Sequence, residues 1–190
     1  MLSDLIYYGQ QTLNYGALAA IVVLAMLVLF LLVLKIRKIK NNPLVLFIKA
    51  KAILLVFAIS SIAALGSLFF SDVAGLAPCN LCWWQRIFMY PIPLLSFIAL
   101  IRKEKGIEYY LLPLSVIGGL IALYQYFLQL AALNHLNISS LVNCSTGGFT
   151  ASCSSTAFLQ FGFLTIPLMS LMIFVYLILI LALKISDQKK

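Results

Sequence analysis

Five long apolar segments limit what this chain can fold into, because they would leave most of its surface facing lipid. Of its 190 residues, 64% are hydrophobic and only 9% are charged, which is more apolar surface than a soluble domain of this size can bury. A helix needs about 20 predominantly apolar residues to cross the hydrocarbon core of a bilayer. The pattern predicts an all-α membrane protein with spans near residues 17–34, 52–70, 87–101, 109–130 and 164–183.

The basic residues predict which side of the membrane each loop occupies. The formal net charge is +8, which in a soluble protein would suggest a nucleic-acid partner. Here twelve of the thirteen basic residues lie in residues 35–51, in residues 102–105 or after residue 183. Five alternating spans place these three regions on one side, and basic loops are retained in the cytoplasm. We therefore expect the N-terminus and the other two loops outside, the C-terminus in the cytoplasm, and no nucleic-acid partner.

The first apolar segment is expected to be a retained helix. A signal peptide carries its basic residues before the apolar run, whereas residues 17–34 carry theirs afterwards, in the predicted loop 35–51. Three local features refine the other segments. Pro91 is expected to tighten or kink its helix, Gly118 and Gly119 to allow close helix packing, and residues 157–163 to lie in the membrane interface.

All four cysteines lie in the two loops that are expected outside, where disulfides can form and persist. Cys79 and Cys82 are separated by two residues, and Cys144 and Cys153 by eight. A thiolate in a Cys-x-x-Cys motif is stabilised at a helix N-terminus or near a cation. Cys82 precedes a predicted helix and Arg86 follows one turn later, so Cys82 is expected to be a good leaving group and an electron donor to an oxidised ring.

Other interpretations of these residues stay open at this point. The first pair could be a structural disulfide, although so small a ring restricts little chain entropy, or part of a four-cysteine zinc site. The second pair could staple its own loop. Arg86 is the only basic residue expected outside, which favours a functional role over a lipid anchor. The two tryptophans after Cys82 fit an interfacial belt or ligand contact equally well, and His135 is expected to be an ordinary loop histidine.

A family resemblance begins at the first cysteine pair. The motif Cys-Asn-Leu-Cys-Trp-Trp-Gln-Arg at residues 79–86, followed by Met-Tyr-Pro at residues 89–91, closely resembles the first outer loop of the disulfide bond formation protein B (DsbB) family. The Ile-Pro-Leu stretch at residues 166–168 is also similar to that family. The resemblance implies a four-helix transmembrane bundle within residues 51–190. Residues 1–50 would then add an N-terminal transmembrane helix and a basic loop.

The resemblance also implies an activity and roles for individual residues. The family oxidises a soluble thioredoxin-like protein of the DsbA type and reduces a membrane quinone, either ubiquinone or menaquinone, in the bacterial cytoplasmic membrane. By this analogy Cys144 would form the mixed disulfide with the partner and Cys153 would exchange with Cys79. Cys82 would face the quinone as a thiolate with Arg86 beside it. Family members often carry a histidine near the quinone, and its best-fitting position here is occupied by Gln125.

Two other functions compete with this one. In oxidoreductases of the vitamin K epoxide reductase type the Cys-x-x-Cys motif follows the loop cysteines, whereas here it precedes them. A membrane transporter or assembly factor with two structural disulfides is the non-enzymatic alternative. It predicts cysteines that react neither with a partner thiol nor with a quinone.

Overall fold

The computed structural model describes residues 11–12, 15–16, 19, 43–133, 159–160 and 164–188. The predicted first span lies outside these residues except for Ala19, and so do Cys144, Cys153 and His135. The elements within residues 43–188 are α1 (Pro43–Ala50), α2 (Ala52–Leu68, extended by a π-helical turn at Phe69–Val73), α3 (Asn80–Met89), α4 (Pro91–Arg102), α5 (Glu108–Leu133), β1 (Leu159–Gln160), β2 (Leu164–Thr165) and α6 (Ile166–Gln188).

Four helical segments in this part of the chain are long and apolar enough to cross a membrane. They are Ala52–Val73, Asn80–Arg102, Glu108–Leu133 and Ile166–Ser186. Each corresponds to one of the four spans predicted beyond residue 51. An all-α membrane bundle is therefore confirmed, and the only strands among the described residues are the two short ones of an antiparallel pair.

The four spans pack in a closed ring. Helix α5 packs most extensively against α6, α2 packs against both α4 and α6, and α3 packs against α5. Large apolar side chains from every span fill the centre and are fully buried; examples are Val56, Ile92, Leu111 and Phe174. Many others point outward, as expected for a surface that faces lipid rather than water.

Close packing between α5 and α6 depends on Gly118. A Cβ atom at this position would overlap the ring of Phe174. At the neighbouring Gly119 a Cβ would lie 3.3 Å from the Phe174 Cβ, a tight contact that a small shift can relieve. The predicted role of this glycine pair is thus confirmed, and Gly118 carries most of it. Small residues let membrane helices approach closely when no hydrophobic driving force acts between them.

The third span differs from its predicted bounds. Its helix begins at Asn80 rather than near residue 87, so Cys82 lies inside the first turn and not before it. Tyr90 separates α3 from α4 but keeps helical dihedral angles, with φ −66° and ψ −32°. Because Pro91 has no N–H group to donate, one helical hydrogen bond is missing there, which agrees with the predicted perturbation at this proline.

Two other segments were predicted incorrectly or not at all. The C-terminal part of the expected basic loop forms α1, whose first residue is Pro43, a favoured position for proline. Ile48 of α1 is buried in the core, which explains why this segment is helical despite its basic neighbours. The β1–β2 pair was not predicted, and it leads directly into α6.

The bundle has two chemically different ends. At one end a tight turn joins α4 to α5, with the left-handed residue Lys103 (φ 53°) closing α4 and Gly106 (φ 89°) completing the turn. The opposite end contains the end of α2, the start of α3, the end of α5 and the start of α6, and we call it the cysteine end. Among the described residues, Arg86 is the only basic side chain toward the cysteine end.

Gly118 and Gly119 offer a matched test of this packing. We expect Gly118→Ala to lower the free energy of unfolding by about 1–3 kcal/mol, the usual cost of overpacking a core, and Gly119→Ala to lower it much less. Thermal unfolding in detergent would measure both. Adding Phe174→Leu should recover part of the loss in Gly118→Ala. Equal losses for the two glycine variants would contradict the assigned contact.

Candidate active site

The first cysteine pair is assembled by the first turn of α3. Cys79 caps this helix with an extended backbone (φ −78°, ψ 175°), and its carbonyl accepts the N–H of Trp83 at 3.1 Å. Positions three apart on a helix lie on one face, so the Cys82 side chain returns toward Cys79. The two sulfurs lie 3.2 Å apart, and both cysteines are free thiols. The structure therefore brings the predicted pair together, and its redox role stays a prediction.

One glutamine amide contacts these sulfurs and a second contacts the first. Gln125 of α5 donates through Nε2 to the Cys79 Sγ at 3.2 Å and to the Cys82 Sγ at 3.3 Å. Gln85 of α3 donates through its own Nε2 to the Gln125 Oε1 at 2.6 Å. Both amides are buried. Gln125 was predicted to contact a quinone, which stays a prediction; the structure places it against both thiols.

Gln85 was missed as a site residue. It belongs to the motif at residues 79–86, but no role was inferred for it from the sequence. The available signal was its spacing, since a residue three positions after Cys82 lies on the same helical face.

The two cysteines differ in environment. Cys79 is almost completely buried, with 3% of its surface exposed. Its hydrogen bond with the Cys82 sulfur and its burial raise the pKa of the Cys79 thiol above the ordinary value. Cys82 lies within the first helical turn, where unpaired backbone N–H groups and the helix dipole stabilise negative charge. This asymmetry keeps the proton on Cys79 and favours charge on Cys82.

Arg86 is anchored inside the bundle. Its Nε donates to the Ser67 Oγ at 3.0 Å and its Nη2 donates to the Ser67 carbonyl at 2.9 Å. Its guanidinium also lies 5.4 Å from the ring centre of Trp83, within cation–π range. Arg86 therefore connects α3 to the end of α2 rather than extending along the lipid surface. Ser67 was not predicted as a site residue, since it is one of three serines in an apolar span and nothing in the sequence distinguishes it from the other two.

A cavity of about 620 Å³ lies beside Cys82. Its polar wall includes Cys82, Gln85 and Arg86, whereas Cys79 and Gln125 do not line it. Most of the remaining wall is apolar and comes from α2, α3 and the start of α6; it includes Ile59, Ala63, Phe70, Met89, Ile166, Pro167, Met169 and Ile173. This size and composition suit a small apolar molecule held by a few polar groups.

Several other predicted features can be placed relative to the cavity. Trp83 and Trp84 are 41% and 49% exposed and do not line the cavity, which agrees with an interfacial belt. Thr12 and Gly16, two of the few described residues before residue 43, also line it. Cys144 and Cys153 lie outside the described residues, and their roles stay predictions.

The comparison with protein families agrees with this arrangement. The family model described as "Disulfide bond formation protein DsbB" matches residues 49–184, which is more than half of the chain. The chain belongs to the DsbB family. The matched region contains three of the four spans, nearly all of the fourth, and both cysteine pairs, so the predicted resemblance is confirmed.

Curated relatives support the same assignment. The SPbeta prophage-derived disulfide bond formation protein B of Bacillus subtilis (strain 168) is 42% identical over 117 residues, covering 62% of this chain and 74% of the relative. Disulfide bond formation protein C of the same organism is 35% identical over 134 residues, covering 70% and 92%. A probable disulfide formation protein of Chlamydia pneumoniae is 34% identical over 137 residues, covering 72% and 93%. No solved structure matches this chain significantly.

The different environments of Cys79 and Cys82 can be measured. In reduced protein carrying Cys144→Ser and Cys153→Ser, we expect iodoacetamide to modify Cys82 much faster than Cys79 near neutral pH. Cys79 is buried and its raised pKa keeps it protonated, and only the thiolate is nucleophilic. Peptide mass spectrometry at timed intervals would follow each site. Faster modification of Cys79 would contradict the described asymmetry.

Proposed function

We propose that this DsbB-family protein is a protein-dithiol:quinone oxidoreductase that generates disulfides. It would oxidise a soluble thioredoxin-like protein of the DsbA type and pass the electrons to a membrane quinone. The observation that carries this proposal is the cavity, because an apolar chamber that is partly open to the surface of the membrane bundle has Cys82 in its wall. A structural disulfide would need no such chamber beside its sulfur.

The residues of the cavity fit a quinone as electron acceptor. Its apolar walls suit a ring and an isoprenoid chain, and methionines such as Met89 and Met169 adapt to irregular shapes. A quinone needs a hydrogen-bond donor for the oxygen that gains charge on reduction. Arginine has five N–H donors, and Ser67 accepts from two nitrogens of Arg86. The guanidinium can therefore hold its position while it donates into the cavity.

Electrons would pass through the two cysteine pairs in sequence. The partner's dithiol reduces the Cys144–Cys153 disulfide and is itself oxidised. A thiolate of that pair then attacks the Cys79 sulfur of a Cys79–Cys82 disulfide, so that a mixed disulfide to Cys79 forms, the Cys79–Cys82 bond breaks and its electron pair moves to Cys82. The other thiol of the second pair attacks the mixed disulfide, which restores the Cys144–Cys153 disulfide and releases Cys79 as a thiol. A quinone accepts two electrons and two protons to become a quinol, and the Cys79–Cys82 disulfide is restored. Overall, one dithiol becomes a disulfide for each quinol formed.

The charges of the described residues support the orientation that this route needs. Basic side chains other than Arg86 lie toward the end of the bundle opposite the cysteines, among them Lys49, Lys51 and Arg102. Since basic loops remain in the cytoplasm, the cysteine end would face the exterior. A soluble partner and an oxidising compartment would both be found there.

Quinone reduction by the purified protein tests the proposed function. With a reduced thioredoxin-like partner and a quinone present, we expect Cys82→Ser and Cys144→Ser each to abolish turnover, because each removes a sulfur that the route needs. Quinone absorbance would follow the reaction, and elution from a sizing column would confirm that both variants fold. Turnover that survives either substitution would eliminate this route and favour the non-enzymatic alternative.

Arg86 should affect the acceptor step more than thiol exchange. We expect Arg86→Ala to raise the KM for quinone about tenfold or more, since a hydrogen bond to a charged group is worth roughly 1.5–3 kcal/mol. The rate at which the partner is oxidised in a single turnover should change little. Arg102→Ala is the control, because Arg102 ends the same span at the opposite end of the bundle and is paired there with Glu104. Equal, small effects on both steps would assign Arg86 to anchoring.

A further inference from the structure

The orientation of the Gln125 amide depends on Gln85. A glutamine amide has an oxygen that only accepts and a nitrogen that donates two hydrogens. The Gln125 oxygen accepts a hydrogen bond from the Gln85 Nε2 at 2.6 Å. The same oxygen also accepts a longer contact from the Cys82 Sγ at 3.8 Å, whereas the Gln125 nitrogen donates to both sulfurs at the shorter distances of 3.2 and 3.3 Å. If the Gln125 amide turned over, its oxygen would face the two sulfurs. Its nitrogen would then face the Gln85 Nε2, and two donors cannot form a hydrogen bond with each other.

We propose that Gln85 is a positioning residue, which holds the Gln125 N–H groups toward the sulfurs so that they stabilise the charge released on Cys82 during exchange. In that step a thiolate attacks the Cys79 sulfur and a disulfide to Cys79 forms. The Cys79–Cys82 bond breaks, and its electron pair moves to the Cys82 sulfur. The inference rests on the proposed function only in taking Cys82 as the sulfur that leaves.

The placement of the two amides supports this division of roles. Gln125 is 2% exposed and does not line the cavity, whereas Gln85 does. Gln85 donates to the Gln125 oxygen, and no bond from Gln85 to either sulfur is found among the described residues. Its influence on Cys82 therefore passes through Gln125. Both amides are buried, which strengthens the hydrogen bond between them and makes the reversed orientation costly.

A chain with a single cysteine tests the inference without a quinone or a partner. Cys79, Cys144 and Cys153 are changed to serine, and the rate of Cys82 alkylation by iodoacetamide is measured against pH. We expect Gln125→Met to raise the pH of half-maximal rate by about one unit, the size expected when a charged sulfur loses a hydrogen bond. Gln85→Met should raise it by a similar amount, because Gln125 is then free to turn over.

The double variant separates positioning from a direct effect. If Gln85 acts through Gln125, then Gln85→Met should cause no further shift once Gln125→Met is present. Gln85→Asn provides a second probe should Gln85→Met fold poorly. Its shorter amide keeps the polarity of the site but does not reach the Gln125 oxygen, so the same shift is expected.

Gln129→Met is the matched control. Gln129 is a buried amide one turn further along α5, and replacing it should leave the pH of half-maximal rate unchanged. The inference is overturned if Gln85→Met and Gln85→Asn leave this value unchanged while Gln125→Met raises it. A Gln85→Met shift that persists in the Gln125→Met background would overturn it as well. Because alkylation needs no acceptor, these outcomes stay independent of whether quinone is the substrate.

Discussion

The helix that starts at Asn80 organises the described site. Cys79 caps it, and Cys82, Gln85 and Arg86 follow within its first two turns. Residues spaced three and four apart share a helical face. One face of this helix therefore presents a thiol, an amide and a guanidinium, each further from the cysteine end than the one before. The neighbouring spans then engage this face from two sides. Gln125 of α5 contacts the sulfurs, and Ser67 of α2 holds the guanidinium.

This arrangement gives the two cysteines different surroundings although only two residues separate them. Cys79 lies at the helix cap, buried and next to the Gln125 amide. Cys82 lies one turn deeper and opens into the apolar cavity. The proposed thiol route from a water-soluble partner to a lipid-soluble acceptor needs this kind of separation, because one sulfur must exchange with the second cysteine pair while the other meets the acceptor. The packing of the membrane helices supplies this separation.

The sequence predicted much of the fold and part of the site. The spans were predicted from the lengths of the uncharged segments, because the thickness of the bilayer sets how many apolar residues a spanning helix needs. The same criterion placed the start of the third span near residue 87, because Asn80, Gln85 and Arg86 interrupt the apolar run although they lie within the helix. In α1 the flanking lysines suggested a loop, whereas burial of Ile48 against the core stabilises a helix. Gln85 and Ser67 were missed, since each gains its role from a residue on another helix.

The sequence by itself determined the class of protein and the reactive groups. The lengths of the apolar segments required membrane helices, and the distribution of the basic residues indicated their orientation. The spacing of Cys79 and Cys82 indicated redox chemistry. Only the tertiary structure decided what surrounds those groups. Gln125 lies 40 residues or more from Gln85, Cys82 and Cys79 in the chain, and Ser67 lies 19 residues from Arg86. Local spacing carries no information about such contacts, because they arise only when the helices pack side by side.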